Sequence, residues 1–502
     1  MGIFVGIGNY IGRVRQIGDG GGQPIGPNDY YIITEDGIAV LTERGKHILL
    51  DKYVTEDEIA TWVKEHMVFW YDMSKPVDTY SQNFNDWRSH PSVNADIIIT
   101  STSFVITRFA TLNDTVKCYI PDQTKNFPGM KVEVKGIVDG QELYWGYSAD
   151  VKLVNITQDG TYDIPPLGTV RGNLSFRNGN IAGACNITIT QLPSGQSVPT
   201  NEILKANPYL QDHSGNNRPL KLNNFLFAAM SGVGGYELNW TDQSIWARFL
   251  GSRFNGAIEP HKLTVTSALG SYNIMETKVP SYAKKFKVRV DGIVDETVAY
   301  KYINASGTQV RFDIKEDGEY ELPSNNTVEG NFNMGWSILA NSYPHTCNIT
   351  IEQIPSYPNA LVTDGVDDYG VVENLQQGVK MLFMTANPLG LYKTWYAQDS
   401  FSIYGQPGIT AYNFRNTGGV TYLDGILNEA EVSNNLLNKK QTVTIVNPTD
   451  GGNNSIIFFN SYGSSYMNMA FYNSIGFDAV PEGNVTLQRV INYVINNILN
   501  KA

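Results

Sequence analysis

The chain has 502 residues, with 37 Lys and Arg against 49 Asp and Glu and a formal net charge of −12. At about 100 to 200 residues per domain, this length implies several units. The 42% apolar and 17% charged composition excludes a disordered polyelectrolyte. The acidic balance without a basic cluster argues against nucleic-acid binding. No apolar run reaches the roughly 18 residues of a membrane span. With 29 Tyr, 47 Gly and 22 Pro, the expected class is all-β with many loops.

The first 95 residues read as a small mixed adaptor. Met1-Gly-Ile-Phe-Val-Gly6 lacks the basic flank and apolar stretch of a secretory signal, so none is expected. Gly2, Gly6, Gly8 and Gly12 punctuate a segment that also carries Ile3, Phe4 and Tyr10, and these residues are the candidates for docking on a partner. Gly6-Ile-Gly-Asn-Tyr-Ile-Gly12 is not a dinucleotide fingerprint, because its third glycine is one place late and no strand–helix unit surrounds it. Gly18 to Pro24 reads as a flexible hinge. Thr55-Glu-Asp-Glu58 is a capping box that opens a helix through about Met67.

Next comes an internal repeat. Gly136-Ile-Val-Asp139 recurs at Gly292 to Asp295, Asp159-Gly-Thr-Tyr162 recurs as Asp317-Gly-Glu-Tyr320, and Cys185-Asn-Ile-Thr-Ile189 recurs at Cys347 to Ile351, each of the last followed by Gln and Pro. Two copies of roughly 100 residues make a duplicated domain rather than a solenoid, which needs about three or more repeats. Val132 and Val134 alternate with charged residues, as do Val288 and Val290, so both copies read as small antiparallel β-sandwiches. The Asp-Gly pairs at 159–160 and 317–318 predict tight hairpins. Cys185 and Cys347 fall on alternating strands and read as small core side chains. With Cys118 they form an odd, sparse set, which excludes a disulfide scaffold.

Asp212-x-Ser-Gly-Asn216, between the copies, and Leu361-Val-x-Asp-Gly-Val-Asp-Asp-Tyr369, after the second, resemble two blocks of concanavalin-like, laminin-G-type lectin domains. The second copy fills most of the gap between them, so it is expected to be inserted in the lectin-like domain. Met469 to Asp478 and the apolar helix that follows resemble that family's closing strand and helix. In the helix, Val490-Ile491, Val494-Ile495 and Ile498-Leu499 mark one face, expected to pack on its own domain. The expected organisation is an adaptor over 1–95, a first copy over 96–195, a discontinuous concanavalin-like jelly-roll sandwich over 196–261 plus 358–502, and a second copy over 262–357.

The layout, together with the Gly-Ile-Phe-Val-Gly start, resembles virion surface proteins of crAss-like bacteriophages of gut Bacteroidales. That resemblance implies a non-enzymatic head fibre on the capsid, made in the bacterial cytoplasm, a dimer or trimer, with capsid or tail proteins and host surface polysaccharide as partners. A tail fibre, a glycan-processing enzyme of concanavalin-like fold and a host cell-surface glycan binder are the alternatives. Glycoside hydrolysis usually needs two carboxylates at fixed separation, and the Glu-x-Asp-x-x-Glu pattern of a retaining branch of that fold is missing. No cofactor is expected. Asp364, Asp367 and Asp368 are candidates for Ca²⁺. Trp395, Tyr396 and Tyr404 are candidates for stacking on sugar rings. The six His residues are scattered, and none is given a role.

Overall fold

Strands account for 52% of the structure and helices for 9%, and the chain is an all-β protein. The computed structural model describes residues 6–7, 10–11, 32–34, 37–41, 47–49, 55–82, 84, 88–89, 95–100, 102–109, 118–119, 126–148, 151–169, 175–278, 282–326, 334–372, 375, 378–389, 394–398, 401–404, 420–428, 439–446, 456–459, 467–482 and 485–500. By its internal contacts the chain divides into Met1–Trp62 with Pro481–Val490, and Val63–Val480 with Ile491–Ala502.

In the smaller unit, Gly6–Ile7 pairs with Tyr10–Ile11, and Ile32–Thr34, Gly37–Leu41 and His47–Leu49 form a meander. Gly2, Ile3, Phe4, Gly8, Gly12 and the glycine-rich hinge lie outside the described residues. The helix Glu56–His66 starts at the capping box, where the Thr55 amide donates to Glu58 Oε2 (2.9 Å) and the Glu58 amide donates to Thr55 Oγ1 (3.2 Å).

The larger unit contains both copies. The first has the sheet Gly160–Ile164, Met130–Lys135, Gly183–Gln191, Ser103–Phe109, Ala95–Ile99, facing Val151–Ile156, Leu143–Ser148, Ser175–Asn178. The second repeats that order with Gly318–Leu322, Phe286–Asp291, His345–Ile354, Lys262–Ala268, Phe254–Ile258, facing Gln309–Ile314, Thr297–Ile303, Gly335–Leu339, Asn273–Thr277, Trp246–Arg248. Each copy closes on its own apolar core, around Trp145 and Phe104 in the first and Trp240, Trp336 and Tyr300 in the second.

The Asp-Gly pairs do not form hairpins. Val151–Ile156 pairs with Leu143–Ser148, whereas Gly160–Ile164 crosses to pair with Met130–Lys135 in the other sheet, and the second copy does the same. The reason lies in the aspartate. Asp159 Oδ1 accepts from the Ile137 amide (2.7 Å), and Asp317 Oδ1 accepts from the Ile293 amide (2.8 Å). The side chain thus ties the crossing to the Gly-Ile-Val-Asp turn of the opposite sheet. That turn needs its glycine: Gly136 and Gly292 have φ of +92° and +93°, and an added Cβ would sit 2.0 Å from a backbone oxygen in each copy.

The remaining strands form two sheets over one core. The first runs Tyr209–Leu210, Leu220–Asn223, Tyr369–Val372, Ile456–Phe458, Thr394–Gln398, Phe401–Tyr404. The second runs Gly232–Val233, Leu361–Asp364, Asn468–Phe477, Met381–Pro388, Gln441–Val446, Val420–Leu423, Ile426–Asn428. An eighth strand, Met67–Asp72, pairs with the 473–477 half of Asn468–Phe477. Two domain boundaries therefore move. Met67–Asp72 leaves the adaptor for this sandwich, because its alternate residues Phe69 and Tyr71 join the sandwich core. Trp246–Arg248 and Phe254–Ile258 leave the sandwich for the second copy, where Trp246 and Phe254 fill the core.

In the closing helix, Leu487–Tyr493 continues as the wider π-turn Val494–Leu499, whose last bond runs from the Asn500 amide to the Ile495 carbonyl. Apolar pairs four residues apart would drift around a 3.6-residue helix, and the wider turn holds them on one face. Ile491 and Ile495 are buried over Gly425.

Each copy is shut by one glutamine. Gln191 accepts from the Gln82 amide (3.1 Å) and donates to the Gln82 carbonyl (2.9 Å); Gln353 does the same with Leu238, at 3.0 and 2.8 Å. The amide side chain imitates a strand residue and ties the start of the copy to its last strand. Gln353→Leu should lower the stability of the second copy by about 1–3 kcal/mol, and Gln353→Glu, which sets a buried carboxylate oxygen against the Leu238 carbonyl, by at least as much. Urea unfolding followed by tryptophan fluorescence reads both values.

Candidate functional site

The strand that follows the block Asp212 to Asn216, Leu220–Asn223, pairs with Tyr369–Val372 at the end of the block Leu361 to Tyr369, so both blocks belong to the discontinuous sandwich. In the first block, the Asp212 carboxylate is buried. Its Oδ1 accepts from the Trp70 and Ser214 amides, both at 2.9 Å, and its Oδ2 accepts from Ser214 Oγ (2.9 Å) and the Arg218 amide (3.0 Å). Asn216 Nδ2 donates to the Met67 carbonyl at 2.7 Å. The motif is thus a latch that holds the strand Met67–Asp72, and its carboxylate is fully engaged by protein groups.

In the second block, the turn after Leu361–Asp364 gathers Asp364, Asp367 and Asp368, with one oxygen from each within 4.8 Å of the others. Asp368 points inward and is fully buried. Its Oδ1 accepts from Ser231 Oγ (3.0 Å) and its Oδ2 from the Asp364 amide (2.9 Å), while Asp364 Oδ1 accepts from the Val366 amide at 2.7 Å. Burial, opposed by the Asp364 amide and reinforced by the Asp364 charge, pushes the Asp368 carboxyl up to about 7. Asp368 therefore braces the turn from within. The oxygens suit a hard cation such as Ca²⁺, but Asp368, being fully buried, is closed to a bulky substrate.

Trp395 and Tyr396 lie on Thr394–Gln398 and Tyr404 ends Phe401–Tyr404, two neighbouring strands of the six-stranded sheet. The backbone brings them close, with Thr394 opposite Tyr404 and Tyr396 opposite Ile403. Their side chains lie outside the described residues.

A further cluster lies in the second copy, where sequence reasoning assigned nothing. His345 opens the strand His345–Ile354, and Asp295 and Glu296 end the Gly-Ile-Val-Asp turn. His345 Nε2 lies 2.7 Å from Glu296 Oε1 and 3.6 Å from Asp295 Oδ1. Glu296 is buried, and its Oε2 accepts from the Val294 (2.9 Å) and Asp295 (3.1 Å) amides. Burial alone would raise its carboxyl; the Val294 amide, His345 and the neighbouring amides outweigh it and hold the group below its ordinary range. The signal was available as a difference between the copies: where the second carries Glu296 and His345, the first has Gln141 and Gly183. The cysteines carry no such signal. Cys185 Sγ donates to the Ile106 carbonyl (3.5 Å) and Cys347 Sγ to the Val265 carbonyl (3.6 Å), with both thiols pushed up by burial.

No protein-family model and no curated protein matches the chain. Among solved structures, a point mutant of Bacillus subtilis oxalate decarboxylase OxdC is 8% identical over 63% of this chain and 87% of its own, with a TM-score of 0.12. A likeness at that level carries no argument about fold or chemistry.

The ionised Asp368 carboxylate is fully buried and faces the Asp364 and Asp367 charges, a penalty that its protonated form does not carry. With a folded pKa of about 7 against about 3.9 in the unfolded chain, the folded state holds the extra proton between pH 4 and 7. Stability from this group therefore falls as pH rises through that window and is flat above it. Asp368→Asn should remove the slope. Its stability relative to the parent protein should rise from pH 4 to pH 7 by up to about 4 kcal/mol, as read by urea unfolding at a series of pH values.

Proposed function

We propose that the chain is a non-enzymatic structural protein of a phage virion, a head fibre on the capsid that presents its discontinuous sandwich for weak binding of host surface glycans. The observation that carries the reading is the joining, in one two-sheet sandwich, of the two sequence blocks that resemble lectin domains, across the whole length of the second copy. The carboxylates of those blocks support binding rather than hydrolysis: Asp212 and Asp368 are both buried and occupied by protein donors. The adjacent strands Thr394–Gln398 and Phe401–Tyr404 carry Trp395, Tyr396 and Tyr404, residue types that stack against sugar C–H faces. The glycine-punctuated segment around Gly6–Ile7 and Tyr10–Ile11 is the part that docks on the particle. A homo-oligomer multiplies the glycan sites on each fibre.

A site that stacks one or two rings binds with millimolar to micromolar affinity, about −4 to −8 kcal/mol. Several copies on a particle raise the avidity by on the order of 10²-fold when their spacing allows simultaneous engagement. Labelling the protein in electron micrographs of assembled particles should place it on the capsid. A glycan array probed with the full chain should show binding to bacterial surface polysaccharide that Trp395→Ala lowers by about tenfold, the loss of roughly 1.4 kcal/mol of stacking. Failure of the protein to incorporate into particles removes the virion reading; the absence of glycan binding leaves the sandwich as a spacer.

A further inference from the structure

The two copies are an internal comparison, because they share strand order, the Gly-Ile-Val-Asp turn and the cysteine-bearing strand. In the first copy, Gln141 Oε1 accepts from the Val138 amide at 3.1 Å and braces the turn. In the second, Glu296 Oε2 does the same with Val294 at 2.9 Å. A neutral glutamine therefore suffices for the turn. A buried carboxylate is the costlier choice, and what it adds is a second anionic oxygen. That oxygen, Oε1, faces His345 Nε2 at 2.7 Å, beside Asp295 Oδ1 at 3.6 Å from the same nitrogen. The first copy has Gly183 at the position of His345. Asp295 has its counterpart in Asp139, but Glu296 and His345 add two ligating atoms in one copy only, at a place where the shared fold needs neither of them.

We propose that Asp295 Oδ1, Glu296 Oε1 and His345 Nε2 form a binding site for a divalent transition-metal ion of the Zn²⁺ class, which staples the 292–296 turn to the strand His345–Ile354. Zinc takes imidazole nitrogen and carboxylate oxygen at about 2.0–2.2 Å, which in a tetrahedral arrangement sets the ligand atoms about 3.3 Å apart. The observed 2.7 and 3.6 Å bracket that spacing, and all three atoms lie within 4.8 Å of one another. The supports are firm on one side and open on the other. His345 pairs with Ala268 across the sheet, and Glu296 is fixed by two backbone amides through the oxygen the metal does not use. The Asp295 side chain is 60% exposed, so the ion enters from solvent, and water completes the coordination. One imidazole with two carboxylates favours zinc over Ca²⁺, which prefers six to eight oxygens. The metal displaces the proton that Nε2 now shares with Glu296. That proton moves to Nδ1 when the ring is neutral, or leaves for solvent when it is charged, so affinity falls as pH is lowered. Cys347, two residues along the strand, is not a ligand: its thiol bonds the Val265 carbonyl as Cys185 bonds Ile106 in the copy that lacks the cluster.

Zn²⁺ alone is titrated into the full chain in chelator-free buffer at pH 7.5, by calorimetry and by thermal unfolding. The expected result is one equivalent bound, a rise in the melting temperature, and weaker binding at pH 5.5. Asp295→Asn, an exposed change that leaves the fold intact, should weaken binding roughly tenfold or more, and His345→Ala should abolish it. Asp367→Asn, in the other acidic cluster, should bind zinc as the parent protein does. The proposal is overturned if no zinc binds, if binding survives either Asp295→Asn or His345→Ala unchanged, or if Asp367→Asn is the variant that loses it.

Discussion

The strand Asn468–Phe477 is buried along most of its length, so its backbone amides and carbonyls must find partners on both edges. Met381–Pro388 serves one edge. No single segment serves the other: Leu361–Asp364 pairs with residues 468–471 and Met67–Asp72 pairs with 473–477. Segments about 300 residues apart in sequence therefore share one edge of one strand. The arrangement of the larger unit follows from that requirement. The first copy occupies the chain between Met67–Asp72 and Tyr209–Leu210, and the second occupies the chain between Gly232–Val233 and Leu361–Asp364. Both copies are excursions from the same sandwich.

An excursion of that kind is compatible with its host when its two ends lie close together. The Gln191 and Gln353 clamps supply that condition, each joining the first residues of a copy to its last strand through a pair of side-chain hydrogen bonds. The Asp212 latch does the corresponding work for the host, holding the distant Met67–Asp72 strand by its backbone. Polar side chains that imitate backbone partners thus do in three places what local sequence cannot, which is to stitch together segments far apart in the chain.

The duplication also separates residues that serve the fold from those that do not. Gly136 and Gly292, Asp159 and Asp317, Cys185 and Cys347, and Gln191 and Gln353 repeat with the same contacts. Tyr162 and Tyr320 do likewise, each hydroxyl donating to the carbonyl four residues earlier. Against that shared frame, Glu296 and His345 are two departures that lie together.

The sequence by itself determined the β class, the duplication and the capping box, because alternation, repeated turn residues and an i, i+3 pair are local patterns that no tertiary contact has to complete. It also marked Asp212 to Asn216 and Asp364 to Asp368 as special, though not what they do. Only the tertiary structure decided that Met67–Asp72 belongs to the host sandwich, since an alternating strand carries no address for its partner. It alone turned the Asp-Gly pairs from hairpins into crossings between sheets, because the carboxylates of Asp159 and Asp317 bond to amides more than twenty residues away. It alone drew Asp368 inward, where burial and not residue type sets its proton affinity. And it brought His345 to Glu296 across 49 residues, a meeting produced by the pairing of strands and written in neither neighbourhood alone.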